Sequence, residues 1–133
     1  MPVADTDLLF ALNPIDPKHE EALRSVKTIE GIVAPDTALL EFQFVLRGRG
    51  KSRDEIKYAL LALLEILRRY GIREVKTIDL KLLALQLELE ERYGLTYFDS
   101  LIAASALIQD GAIISDDKAF DKIEGLRRIP ISK

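Results

Sequence analysis

No cysteine occurs among the 133 residues, which excludes disulfides, zinc–thiolate centres and thiol nucleophiles. Histidine is almost as scarce: His19 stands alone, so histidine-rich metal sites are out and a Ser-His-Asp triad would depend on one side chain. If the chain does chemistry, oxygen ligands and carboxylates must carry it. Long apolar runs are missing too; Glu, Lys or Arg interrupts each one short of bilayer-spanning length, and Asp5 follows Met1 and Pro2 where a leader would have basic and then apolar residues. The chain reads as soluble and cytoplasmic. A net charge of −3 and a pI near 5.3 argue against nucleic-acid binding through overall charge. The absence of cysteine, the single Asn13 and the abundant Lys, Glu and Leu would suit a thermophile.

What is present is a globular composition, 48% hydrophobic and 31% charged, with no internal repeat or long linker. One domain over residues 1–133 is expected. Charge is uneven within it: "RGRGKSR" gathers Arg47, Arg49, Lys51 and Arg53 between glycines, either a solvated connection or a local meeting point for RNA phosphates.

Short apolar runs alternate with helical patterns. Residues 2–5 read as a buried strand, and "TDLLFAL" as a helix ending at Asn13-Pro14. "DPKHEEALRSV" is a helix with Asp16 as cap and Pro17 at its first position. "GIVAP" is a second strand, followed by the helix "DTALLEFQFVLRG", capped by Asp36 or Thr37. The capping box Ser52–Glu55 opens a helix that ends at Gly71, with Ile56, Leu60, Leu63, Leu67 and Tyr70 on one face.

"LKLLALQLELEERYG" alternates leucines as a strand would, but lacks β-branched residues and is rich in helix formers, so residues 79–93 are predicted helical and "EVKTI" a short extended link. "DSLIAASALIQDG" is a helix opened by Asp99. "AIIS" is a buried strand, "DDKAFDKI" a turn or short helix, and "LRRIPI" a last strand. Such alternation predicts a three-layer α/β/α domain with a short-stranded, mainly parallel sheet flanked by helices.

In an open parallel sheet the functional crevice lies beyond the carboxyl ends of the strands. Asp5 and Asp7 follow the first strand, Asp116 and Asp117 follow "AIIS", and the helix begun by Asp99 runs back toward that same edge. Glu41 sits among apolar residues in "ALLEFQFVL", with no Lys or Arg three or four positions away. Carboxylates gathered in one crevice repel one another and raise each other's pKa, which a hard cation such as Mg²⁺ or Mn²⁺ reverses. Such an ion also activates water and stabilises the attacking and leaving oxygens of a phosphodiester. Tyr93, Tyr97 and Phe98, close to Asp99, would either pack in the core or stack on a base.

"DTD" after the first strand, the lone Glu in "LLEFQFVL", "FDSLIAASAL" and "ISDDKAF" follow one another, over nearly the whole chain, in a pattern that resembles PIN-domain ribonucleases, VapC-type toxins included. The resemblance implies an acidic quartet at Asp5, Glu41, Asp99 and Asp117, acting as metal ligands and in catalysis. It implies supporting hydroxyls at Thr6 and Ser115 and a packing aromatic at Phe120. Asp7 stands where the family often has Asn or Ser, and Asp116 beside Asp117 leaves the fourth acid open by one residue, Asp117 being favoured by its spacing to Phe120. The implied activity is Mg²⁺- or Mn²⁺-dependent hydrolysis of RNA, by a homodimeric toxin with an antitoxin partner. Two other classes compete: a haloacid-dehalogenase-like phosphatase, from Asp-x-Asp after the first strand, and a PIN-like scaffold that binds RNA or protein without cutting. A phosphoacceptor receiver shares an α/β core, but its acidic pair and distant lysine are not matched in order.

Overall fold

A computed structural model describes residues 1–132. Five strands form one parallel sheet in the order β3-β2-β1-β4-β5: β1 (Val3–Ala4), β2 (Val33–Pro35), β3 (Arg73–Val75), β4 (Ala112–Ile114) and β5 (Arg127–Ile129). Six α-helices connect them: α1 (Thr6–Ala11), α2 (His19–Thr28), α3 (Asp36–Gly48), α4 (Arg53–Arg69), α5 (Leu80–Tyr93) and α6 (Tyr97–Gln109). A 3₁₀ turn, Lys118–Lys122, separates β4 from β5. This is the predicted α/β architecture. Among the described residues no helix is long and apolar enough to cross a membrane.

The three central strands are covered on both faces. Val3, Ala4, Val33, Ala34, Ile113 and Ile114 expose nothing to solvent; removing a Val or Ile side chain from water contributes about 1.5–3 kcal/mol. Small residues let the covering helices approach: Ala103, Ala104 and Ala106 on α6 and Ala38 on α3 are also fully enclosed. Phe120 from the 3₁₀ turn closes the core, as its packing assignment anticipates.

The leucine-rich segment is helical as expected. Asp79 caps α5 by accepting from Leu82 N, Gly94 ends it at φ 65°, and Leu82, Gln86 and Leu89 face inward. The capping box of α4 is also as expected.

Four local expectations are corrected. Helix α2 begins at His19, not after Asp16, because the Asp16 side chain and carbonyl accept from the backbone of Lys18 and His19 in a preceding turn. Pro35, rather than Asp36 or Thr37, is the N-cap of α3. Asp36 keeps a bond from Thr37 N at 3.0 Å but is otherwise engaged by the next segment: it accepts from the Thr77 hydroxyl at 2.6 Å and from the backbone N–H groups of Thr77 and Ile78. That tie carries the "EVKTI" link alongside β2, where Arg73–Val75 pairs as an edge strand instead of remaining unpaired. Finally, Asp99 does not cap α6; Thr96 does, its hydroxyl accepting from Asp99 N.

Candidate active site

The chain crosses from β1 to β2 on one side and returns to β4 on the other, so the topological switch point lies between β1 and β4, beyond whose carboxyl ends a crevice opens. Parallel register fixes what meets there. Ala4 is level with Ile114, so the next residues, Asp5 and Ser115, emerge side by side. The Ser115 hydroxyl donates to Asp5 Oδ2 at 2.6 Å, while Asp5 Oδ1 accepts from Thr6 N as the N-cap of α1. Asp5 therefore serves both as a cap and as a wall of the crevice. Ser115 Oγ also accepts from Asp117 N at 3.0 Å, which fixes the loop carrying that acid.

Glu41 reaches the crevice from the second turn of α3. Its Oε1 accepts from the Thr6 hydroxyl at 2.5 Å, so the threonine after Asp5 positions the acid from the neighbouring helix. Asp99 stands in the first turn of α6, and Asp117 is exposed at the cap of the 3₁₀ turn, accepting from Ala119 N.

Burial and mutual charge act on these acids together. Burial raises the pKa of Asp5 well above the usual carboxylate range, and the charges of Asp7 and Asp99 push it further against the hydrogen bonds from Ser115 and Thr6. Burial likewise raises Glu41, as do the charges of Asp99, Asp7 and Asp117, with Thr6 opposing. Asp99 is raised by burial and by the charge of Asp117. Each carboxylate destabilises its neighbours' charge. Among the described residues, no Lys, Arg or His forms an ion pair or hydrogen bond with Asp5, Glu41, Asp99 or Asp117.

Asp7 and Asp116 do different work. Asp7 is raised by burial, eased by the backbone N–H groups of Asp116 and Leu8. Its Oδ2 accepts from Asp116 N, and its Oδ1 is buried with no hydrogen-bond partner. Asp116 is instead fully engaged: it accepts from Lys18 Nζ at 2.7 Å, from Ile131 N and from both the backbone and hydroxyl of Ser132. Burial would raise it, but those four donors hold it far below the usual range. Asp116 thus ties the chain's last segment to the start of α2, whereas the exposed Asp117 carboxylate accepts, among the described residues, only from Ala119 N.

The donor set is all oxygen and strongly anionic, and it contains an orphaned buried oxygen, so it fits a hard divalent cation. As they stand, no three His or acidic side chains among the described residues converge tightly enough to enclose an ion.

The basic loop lies apart from the acids. Arg49 places its guanidinium 4.8 Å from the centroid of the Phe10 ring, which is stacked on Phe42. Arg49 and Lys51 border an apolar concavity of about 610 Å³ between α1, α3 and α4, and Arg47 and Arg53 border a separate groove with Lys57. His19 donates to or accepts from nothing in the acid cluster; its Nδ1 lies 3.0 Å from the Ala11 carbonyl. Two cations are held beside the cluster: Arg128, which donates to the Ser115 carbonyl at 3.1 Å and pairs with Asp121, and Lys18, which was not legible from its place in "DPKHEE", since its partner lies 98 positions away.

A family model of the PIN domain matches residues 3–126. The chain belongs to the PIN-domain family. That membership displaces the phosphatase and receiver alternatives. Solved structures agree with the fold. A toxin-antitoxin complex from Klebsiella pneumoniae superposes with a TM-score of 0.69 at 16% identity over 96% of both chains. VapBC2 from Rickettsia felis, bound to a DNA fragment from its promoter, gives 0.69 at 18% identity, again over 96% of both chains. VapC20 from Mycobacterium tuberculosis, a sarcin-ricin-loop cleaving toxin, gives 0.68 at 18% identity over 89% of this chain and 91% of its own. No curated protein matches the chain.

Proposed function

We propose that this chain is a metal-dependent endoribonuclease that hydrolyses RNA phosphodiester bonds at Asp5, Glu41, Asp99 and Asp117, and that it is the toxin of a VapBC-type toxin-antitoxin pair. One observation carries the reading. Asp5, Glu41, Asp99 and Asp117 come from four segments at the switch-point edge of the sheet, burial and neighbouring acids push up the pKa of the first three, and among the described residues no basic side chain is bonded to any of the four. Such an arrangement is costly unless a cation completes it.

Mg²⁺ or Mn²⁺ held by these acids would supply the charge that draws in a scissile phosphate and would acidify a water for attack on phosphorus. The chain's own residues do the rest. Ser115 and the start of α1 hold Asp5, Thr6 holds Glu41, and Thr96 holds the turn that presents Asp99, so each oxygen is oriented before substrate arrives. Asp7 adds negative charge behind Asp5, strengthening cation affinity.

Sarcin-ricin-loop cleavage by the Mycobacterium tuberculosis toxin and the toxin-antitoxin complex from Klebsiella pneumoniae support RNA as substrate and an antitoxin protein as partner. Leu80, Leu83 and Leu87, exposed along one face of α5, support a homodimer. The test is cleavage of RNA in Mg²⁺ or Mn²⁺ by the wild type and by Asp5→Asn and Asp99→Asn, with folding checked by circular dichroism. Both variants are expected to be folded and inactive; wild-type rates from either would overturn the assignment. A small DNA-binding protein encoded beside this chain, blocking cleavage when mixed with it, is the expected partner.

A further inference from the structure

Three aromatic rings flank the acids on one side. Phe44 stands one turn after Glu41 on α3, and Tyr97 and Phe98 immediately precede Asp99 on α6. They form a continuous shelf: the Phe44 and Phe98 rings lie 5.4 Å apart and tilted, and Tyr97 meets Phe98 edge to face, also at 5.4 Å. Phe98 is half-buried and anchors the group, whereas Phe44 is 61% exposed and Tyr97 56% exposed. Tyr93 does not belong to it, because its hydroxyl is taken by Glu124 N and its face by Arg92. Large rings left this open gain little from the core, and they are presented by the two helices that carry Glu41 and Asp99.

We propose that Phe44 and Tyr97 are a stacking platform for an unpaired nucleobase next to the scissile phosphate, and so select single-stranded RNA. This rests on the ribonuclease reading of the acid cluster. Base stacking suits the position because a π-face recognises any base and needs no hydrogen-bond donors, of which this flank shows none in use. Charge agrees with it. Gln43, adjacent to Phe44, lines a groove with Arg47, Arg53 and Lys57, cations placed to take strand phosphates beyond the stacked base. A strand would then pass from a cationic groove, over the rings, into the acidic crevice. Duplex RNA would not fit this description, since its bases are already stacked on one another.

The test begins by mapping the cut made by the wild type in single-stranded RNA, then synthesising that substrate intact and with an abasic nucleotide on either side of the cut. Phe44→Ala and Tyr97→Ala are each expected to raise KM on the intact substrate about tenfold, the size expected for one lost stack, and to leave kcat within about twofold. Tyr97→Trp should keep wild-type KM. On the abasic substrate whose missing base is the stacked one, the alanine penalty should disappear. Both residues are exposed, so folding is not at stake. An unchanged KM, a penalty that persists on both abasic substrates, or sedimentation showing that the rings instead hold two copies together without affecting KM would overturn the platform while leaving the nuclease standing. A wild type that cuts no RNA would overturn both.

Discussion

The hydroxyl of Thr6 donates to Glu41 Oε1 across 2.5 Å, joining the first turn of α1 to the second turn of α3. The bond lowers the pKa of a carboxylate that burial and three neighbouring acids raise, so it favours the charged form that a cation requires. Thr6→Val keeps the shape and removes the donor. It should cut RNA cleavage at neutral pH and move the acidic limb of the pH–rate profile upward. Stability should fall by about 1–3 kcal/mol, the usual cost of losing a hydrogen bond to a charged group; denaturant titration and a pH series measure both effects.

Asp116 and Asp117 should separate cleanly. Asp116→Asn weakens bonds from Lys18, Ile131 and Ser132, so a stability loss of about 1.5–3 kcal/mol is expected. Cleavage should be retained at a temperature well below its melting point. Asp117→Asn should do the reverse, leaving the melting temperature within a few degrees and abolishing cleavage. Full activity in Asp117→Asn would move the fourth acid elsewhere.

Metal-free protein should become more stable on mild acidification. Asp5, Asp7, Glu41 and Asp99 all titrate higher in the folded chain than their ordinary values near 4. The folded state therefore binds more protons, and its stability is fullest below the unfolded pKa values and is lost as pH rises through the raised ones. Asp116, depressed on folding, works the other way: its contribution is present above the ordinary carboxylate range and is lost as pH falls through and below it. In chelator the melting temperature should rise as the pH is lowered from neutral toward the ordinary carboxylate range near 4, and fall again below it. Asp5→Asn should flatten the upper slope, and Mn²⁺ should raise the melting temperature at neutral pH in the wild type but much less in that variant.

Gly111 should resist substitution. It joins α6 to β4 at φ +77°, and an added Cβ would come within 2.7 Å of the Gly125 carbonyl oxygen. Gly111→Ala is expected to cost more than about 1 kcal/mol through strain and backbone displacement. Gly50→Ala, which meets no atom within 4 Å, bears only the strain of its φ of +76° and should cost less. Paired thermal melts test the difference.

The fold was legible wherever local chemistry agreed with pattern. The leucines at 83, 85, 87 and 89 alternate, yet the surrounding Ala, Glu and Gln made a helix the better reading, and Leu82, Gln86 and Leu89 do face inward. The three central strands could be read because each is a wholly apolar run, followed by Asp5 after β1 and Ser115 after β4 and closed by Pro35 in β2. Caps were less visible. Thr96-Tyr97-Phe98-Asp99 has the spacing of a threonine cap with an acid three positions on, a signal that would have moved the start of α6 before Asp99. Asp36 is engaged by Thr77, 41 residues away, and no local rule shows that pull. At the candidate site, chain order placed the acids at one edge of the sheet. Only tertiary contacts separated Asp116, committed to Ser132 and Lys18, from its neighbour.

The bond between Ser115 and Asp5 spans 110 positions. On a ribosome, a nascent chain that has released only β1 through α5 holds Asp5 with no hydroxyl to orient it and no β4 beside β1. The crevice is therefore assembled late in translation, only once β4 has emerged to lie beside β1.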